Sequence, residues 1–410
     1  MGINAQRAFH NNTTEDHYLA QLTVADHERE VLRGVRDSIR SALRAGFQNW
    51  NLVAKRDALF EHTAVALQMV TDATPLRPKF RMQGSWSYHT LNCTTYEPPQ
   101  EIDLDDGMFL PVSFLSENGT VHPILVSTAY FAAVEAILRP LCDREGWALT
   151  GMPSCVRVEV RDGAHVGIGL YAIPDDQFEV LVEKADISTH SRMTFDQDMA
   201  FDDNIYAQLP SDQIMLAHRE QGWKPSDPRK LEDWFQDAIN RHRQQLRRVC
   251  RYLKGWRDHN WDKCRLSSIA LMACVVSAYD RVSASPSPVR DDQALDMVAE
   301  QLPSMLANRI PNPVVEGQFL DEKWEDCRDE FVAAARQLSA VLKRALLAVK
   351  SEDARDLLVA ELGPYMPTNA AYYVAEATGP AILREGLLRG LATEETRRAA
   401  VKLGGDDRYG

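Results

Sequence analysis

Asp103 and Asp105 stand two apart in Glu101-Ile102-Asp103-Leu104-Asp105-Asp106-Gly107. On an extended strand, residues two apart point to the same face. This spacing therefore sets two carboxylates side by side, the oxygen-rich arrangement that a hard cation such as Mg²⁺ requires. Upstream, Met82-Gln83-Gly84-Ser85-Trp86-Ser87-Tyr88 carries a Gly-Ser turn, which offers free backbone N–H groups and a hydroxyl to phosphate oxygens. Together the two segments point to metal-dependent transfer of a nucleotidyl group. Singly each is weak: turn glycines and serines are common, and Asp-x-Asp also occurs on exposed edges. The combination is sharper because Ile102 and Leu104 alternate with the carboxylates. That pattern buries one face of the strand while the other carries charge.

A second candidate group lies downstream. Lys254 stands in the basic run Arg251-Tyr252-Leu253-Lys254-Gly255-Trp256-Arg257. The plain reading is a solvated helical face; the functional one is a point charge for triphosphate oxygens. Ser268 opens the next helix, either as an N-cap or as a hydroxyl donor at the positive helix end, and pattern alone does not choose. Trp234, Trp256 and Trp261 read as core.

The elements that must position these groups follow from periodicity. Residues 1–20 are polar and read as an irregular arm. A helix is expected from near Thr23, where Thr23-Val24-Ala25-Asp26 reads as a capping box, to about Phe47, with Val31, Leu32, Val35, Ile39 and Leu43 on one stripe. A second helix is expected over Arg56 to Thr71. Residues 79–183 interleave strands and helices: Lys79 to Met82, Glu101 to Val112, Val156 to Val160 and His165 to Ile173 as strands, with a buried helix over Val126 to Leu138. Such interleaving means α/β or α+β. Ser226-Asp227-Pro228 is a helix start, and the chain beyond it reads as helical. Expected helices run over Ser267 to Val282, 292–307, 323–349, 352–362 and 377–402. The division expected is 1–225 for N-terminal helices plus the mixed core, 226–400 for a helical lobe, and 401–410 for a flexible tail.

Composition bounds the function. The chain has 410 residues, 45% apolar and 26% charged, which suffices for a large core in two or three lobes. A net charge of −13 argues against a protein that coats long nucleic acid, whose binding rests on many phosphate contacts. A local basic patch from Arg229 to Lys263 is still suited to a nucleotide. No run of eighteen apolar residues occurs, so no membrane span is expected. The N-terminus lacks the features of a signal peptide, and Gln6 departs from a myristoylation signal at Gly2. Seven scattered cysteines with no Cys-x-x-Cys pair fit a reducing cytoplasm. The histidines show no zinc spacing.

Several blocks in order resemble the bacterial cGAS/DncV-like nucleotidyltransferases, especially the DncV-type cyclic GMP-AMP synthases. They are Gln83-Gly84-Ser85 through Thr90-Leu91-Asn92, Glu101 through Gly107, His165 through Pro174, Ser226-Asp227-Pro228 through Phe235, and Leu246 through Asp258, ending in Ser267-Ser268-Ile269-Ala270-Leu271-Met272. The resemblance covers roughly residues 20–310. It implies an α+β fold, a polymerase-β-like nucleotidyltransferase core with a large helical lobe, and ATP and GTP bound between them. It implies two Mg²⁺ ions, with Mn²⁺ as an alternative, and two successive nucleotidyl transfers giving 3′,3′-cyclic GMP-AMP for antiphage signalling in the bacterial cytoplasm. Asp103 and Asp105 would be metal ligands. Gln83, Gly84 and Ser85 would cradle phosphates, Tyr88 and Arg157 would lie near the nucleotides, and Lys254 and Ser268 would hold the donor triphosphate.

Two features set this chain apart. The family carries a third Asp two residues after the His of the block that here reads His165-Val166-Gly167, and this chain has Gly167 there. A change that traps an inactive state, a natural pseudoenzyme, and a site completed by water all account for it. At the other end, Gly410 is similar to the small C-terminal residue of family members encoded with an E1–E2-like ligase, which joins the terminal carboxylate to targets; a frayed tail is the plain alternative. The rival functions are a non-catalytic nucleotide-binding or ligase-substrate protein, supported by Gly167, and an enzyme of the same fold that extends RNA ends, which the acidic charge disfavours.

Overall fold

Strict alternation of side chains organises the mixed core. In the computed structural model, which describes residues 2–49, 78–96, 99–111, 123–173, 214–226, 228–282, 288–324 and 326–376, strands β2 (Lys79–Gln83), β3 (Ile102–Pro111), β4 (Ala148–Gly151), β5 (Cys155–Arg161) and β6 (Ala164–Ile173) form a sheet in the order β2-β3-β6-β5-β4. β3 and β6 run parallel, and the other neighbours are antiparallel. Beyond the end of β5, the hairpin of β7 (Met215–His218) and β8 (Gly222–Pro225) takes over the edge of β6 at Tyr171 and Ala172.

One face of this sheet is apolar. Phe80, Met82, Ile102, Leu104, Val156, Val158, Val166 and Ile168 are all buried there. They pack against helices α3 (Asp26–Gln48) and α5 (Pro123–Glu145) in a single core that includes Leu32, Ile39, Leu43, Phe131 and Val134. Burying a side chain of this size stabilises by about 1.5–3 kcal/mol. The period of two puts Asp106 on this apolar face, away from Asp103 and Asp105. It is 1% exposed and receives both Nε and Nη2 of Arg40 from α3, at 2.7 and 2.6 Å.

α3 buries Leu32, Val35, Ile39 and Leu43 as expected, but Val31, expected on the same stripe, is 56% exposed, and the expected cap is absent. Its first residue is Asp26, and no side chain caps it. Thr23 Oγ1 instead donates to Leu19 O at 2.7 Å, closing the preceding short helix α2 (Tyr18–Gln21). Asp26 and Glu28 in the first turn of α3 complement the helix dipole. The expected helices at 56–71 and 377–402 lie outside the described residues.

The second core is helical and holds the largest correction to the sequence reading. Helices α6 (Pro228–His242), α7 (Gln244–Asn260), α8 (Ser268–Arg281), α9 (Asp291–Ala307), α10 (Arg328–Leu346) and α11 (Ser351–Leu362) bury Phe235, Leu246, Trp256, Tyr279, Leu302 and Leu338 together. The expected 323–349 helix is shorter, because Trp324 is buried in the turn before it. Residues 3–22 are not an irregular arm. Ile3, Phe9, Tyr18 and Leu22 belong to this same core. Strand β1 (Ile3–Asn4) pairs with β9 (Val374–Ala375), and Tyr18 stacks on Tyr252 at 5.5 Å. The N-terminal segment thus folds with helices more than two hundred residues away, so the boundary expected at 225 does not separate the two cores in sequence.

Candidate active site

The polar face of the sheet carries the side chains singled out from the sequence. The register sets Gln83 opposite Asp105, Asp105 opposite Gly167, and Gly167 opposite Arg157; one step back along β3, Asp103 is opposite His165. Because all of these are in phase, they share one face.

Gly84 begins the four-residue helix α4 (Gly84–Ser87) directly at the end of β2, with φ of +65°. A Cβ there would lie 2.2 Å from Asp105 Oδ2. Left-handed backbone and close carboxylate contact both demand glycine. Trp86, in the same turn, donates Nε1 to the backbone oxygen of Asp103 at 3.0 Å and so ties the Gly-Ser turn to the carboxylate strand.

The chain between Tyr88 and Glu101 crosses to the helical core. Lys254 Nζ donates to Thr90 O at 2.7 Å, and Asn92 and Arg251 exchange two hydrogen bonds of 2.9 Å. Gln100 Nε2 reaches Asp258 O and Trp261 O. Arg81 on β2 pairs with Glu232 on α6 at 2.9 Å. These contacts close a cavity of about 570 Å³ between the sheet and helices α7 and α8. Its lining brings together Gly84, Ser85, Tyr88, Asp103, Asp105, Lys254 and Ser268.

Three sequence candidates stand apart from that lining. Gln83 accepts from Tyr171 Oη at 3.1 Å, and its Nε2 is buried without a hydrogen-bond partner. Arg157 is ion-paired with Glu101 on the sheet face. Gly167 presents no side chain. Gly410 lies outside the described residues.

Local folding decides the two readings of Ser268. Ser267 is the N-cap, its Oγ accepting from Ala270 N at 3.2 Å. Ser268 is the first helical residue, and its hydroxyl accepts from Arg257 Nη1 at 3.1 Å. Sequence reasoning missed Arg257, which lines the cavity. Its position three residues after Lys254, on the same helical face, was the available signal. It also used His165 only as a marker for position 167.

The electrostatics favour anions on one wall and cations on the other. Burial, then the neighbouring Asp103 carboxylate, pushes the Asp105 carboxyl up to about 6. Burial, then Arg257, pulls the Lys254 ammonium down to about 8. Burial raises the Tyr88 phenol, with Glu232 and Asp105 adding to it.

For a divalent cation, Asp103 and Asp105 supply adjacent carboxylates that both line the cavity. The donor set therefore fits a cation. The position paired with Asp105 adds no oxygen, so a pair of ions held by three carboxylates is not provided for. Glu101, Asp103 and His165 also place ligand atoms within 4.8 Å of one another.

A parallel strand pair bearing two in-phase carboxylates, a Gly-Ser turn beside it and a basic helix across a cleft define a nucleotidyltransferase. Residues 78–171 match the family described as cyclic GMP-AMP synthase DncV-like, nucleotidyltransferase domain, and residues 243–376 match cyclic GMP-AMP synthase, C-terminal domain. A cyclic GMP-AMP synthase of Vibrio cholerae is 31% identical over 350 residues, spanning 74% of this chain and 78% of that protein. One from Escherichia coli is 32% identical, spanning 72% and 68%. The crystal structure of Vibrio cholerae DncV with the linear intermediate pppA(3′,5′)pG has a TM-score of 0.72 at 25% identity, covering 92% of this chain and all of that one. A DncV mutant structure with ATP and GTP gives the same TM-score at 26% identity. The chain belongs to the DncV-like nucleotidyltransferases, the cyclic dinucleotide synthases of bacteria. Among the described residues, no helix is long and apolar enough to cross a membrane.

Proposed function

We propose that this chain binds ATP and GTP in the cleft and joins them into 3′,3′-cyclic GMP-AMP. The observation that carries the reading is the convergence of Gly84, Ser85, Asp103, Asp105, Lys254 and Ser268 on one cavity from three distant segments. In each of two transfers a ribose 3′-oxygen would bond to the α-phosphorus of the other nucleotide, pyrophosphate would leave, and the hydroxyl proton would pass to a base or solvent.

The chain's own groups suit this division of labour. Gly84 and Ser85 are placed for donor phosphates, while Lys254, Arg257 and Ser268 form a cationic and hydroxyl wall for the triphosphate. Tyr88, 8% exposed and packed on Phe235, gives a firm floor. Asp103 and Asp105 would hold Mg²⁺ or Mn²⁺, which supplies activation of the attacking hydroxyl and neutralisation of phosphate charge. Gln83 and Arg157 act on this reading from the sheet face, Gln83 by bracing the turn and Arg157 by fixing Glu101.

The product would serve antiphage signalling in the cytoplasm, and Gly410 would be joined to targets by an E1–E2-like ligase. The division of the chain into a core to 225, a helical lobe to 400 and a tail of 401–410 fits that scheme once residues 3–22 are counted with the helices. A second reading, a non-catalytic nucleotide-binding or ligase-substrate protein, is favoured by Gly167.

Incubation with labelled ATP, GTP and Mg²⁺ or Mn²⁺ tests the function. Cyclic product from the chain itself supports synthesis, and product from Gly167→Asp alone shows an intact site disarmed at position 167. Nucleotide binding with product from neither supports the non-catalytic reading. For the tail, a ligase that still conjugates Gly410→Glu would remove the conjugation proposal.

A further inference from the structure

We propose that residues 380–391 of this chain dock in a groove at the tip of the α10–α11 hairpin, laying Leu383, Leu387 and Leu391 against it. Such docking is independent of nucleotidyl transfer.

The groove has a volume of about 730 Å³ and lies between the last turn of α10 and α11. Its floor is apolar. Ala348 and Leu357 are partly buried against the helical core, and Leu347 and Ala360 extend the lining. Leu347 is 71% exposed, and Val349, two residues on, is 73% exposed. Among the described residues, only Val289 is a more exposed large apolar side chain. Single exposed apolar residues are ordinary. Two beside an apolar groove mark a surface that another segment covers. The rim is charged, with Arg344 on α10 and Asp353 and Asp356 on α11, all exposed.

The chain leads its own next segment there. Glu376 N donates to Gly2 O at 2.7 Å, and the Glu376 carboxylate pairs with Arg290. A Cβ on Gly2 would lie 2.9 Å from Leu346 O, so the N-terminal strand holds Glu376 beside the last residue of α10. Tyr373 is buried within electrostatic reach of Arg355 and of the rim carboxylate Asp356. The seven steps from Glu376 to Leu383 span up to about 23 Å, twice the width of a helix.

The sequence of that segment, which lies outside the described residues, matches the groove. Gly379-Pro380 is a turn and helix-start signal. Leu383, Leu387 and Leu391 recur every four residues, the spacing of one helical face. Arg384 and Arg389 flank this face and complement Asp353 and Asp356, while Glu385 complements Arg344. A helix this short is marginal alone in water, so burial of its leucines is what would hold it. The tether gives this segment an effective concentration that no free partner has.

Hydrogen exchange on the full chain, read by mass spectrometry, tests this. Backbone amides of residues 383–391 should exchange at least about tenfold more slowly than in an unstructured peptide. Leu347→Glu, at an exposed position, should remove that protection and leave the amides of β3 and α7 unchanged. Leu387→Glu should remove it too, and should speed exchange at the hairpin turn. Arg384→Glu with Arg389→Glu should weaken protection, and adding Asp353→Lys and Asp356→Lys should restore it in part. Free exchange at 383–391 in the parent chain would overturn the docking and leave the groove to another protein. Protection that survives Leu347→Glu would put the segment elsewhere and overturn it as well. Protection lost on dilution, with a dimer in sedimentation, would assign the groove to a second copy's segment and overturn docking within one chain.

Discussion

Asp105 and Gly167 are direct partners on the parallel strands β3 and β6, and a Cβ placed on Gly167 would meet only Asp105 Oδ1, at 3.3 Å. A side chain at this position therefore points at the carboxylate pair and fits once the Asp105 carboxylate gives by a few tenths of an ångström. Restoring a carboxylate there supplies a further metal ligand and a group to take the hydroxyl proton. Gly167→Asp is expected to raise cyclic dinucleotide formation by about 10²-fold or more, within the usual range for a positioned proton acceptor. Chromatography of labelled products checks this. Equal rates for both forms would show that the third carboxylate position does not limit turnover.

Asp106 sits in the same acidic run yet has a structural part. With Asp106 buried and held by Arg40, Arg40→Met leaves an unpaired buried charge. The loss should be about 3–5 kcal/mol of unfolding free energy, read from denaturant titration. ATP affinity of the folded fraction should remain that of the parent chain.

Lys254 makes nucleotide binding depend on pH. Its ammonium titrates at about 8 rather than 10.5. Between these values the unfolded chain holds more protons, so Lys254's contribution to stability rises with pH through the window and is lost as pH falls through about 8. Triphosphate binding has the opposite dependence, because the anion needs the charged form. ATP affinity should thus fall as pH rises from 7 to 9, by up to about tenfold per unit above 8. Calorimetry on Lys254→Met should give weaker binding and a flatter profile.

The N-terminal segment has its own test at Gly255. A Cβ on Gly255 would lie 2.6 Å from Tyr18 Oη and 2.9 Å from Leu22 Cδ2. Helix α2 therefore packs on α7 only because residue 255 has no side chain. Gly255→Ala should cost about 1–3 kcal/mol through overpacking, despite the better helix propensity of alanine. A thermal midpoint equal to that of the parent would show that the contact yields freely.

Much of this was legible in the sequence where neighbours along the chain decide the outcome. The alternation in Ile102-Asp103-Leu104-Asp105-Asp106 fixed both the faces of β3 and the adjacency of its carboxylates. The stripe of Leu32, Val35, Ile39 and Leu43 located α3. What escaped depends on partners remote in sequence. Phe9 and Tyr18 stand among polar residues, and their burial comes from Tyr252 and its neighbours. The His165–Asp103 contact needs the parallel register of β3 with β6, which no local pattern encodes. Asp106 adjoins the carboxylate pair in sequence but is buried on the opposite face of the sheet. The cap at Ser267 differed from Ser268 by one residue, a margin only backbone geometry decides.

The segment from Thr90 to Gln100 ties the sheet to α7 through Lys254, Asn92, Arg251 and Gln100. Its two walls are stitched together during folding, before any nucleotide arrives. The cleft is thus preorganised, and little of the ligand's binding free energy goes into ordering it.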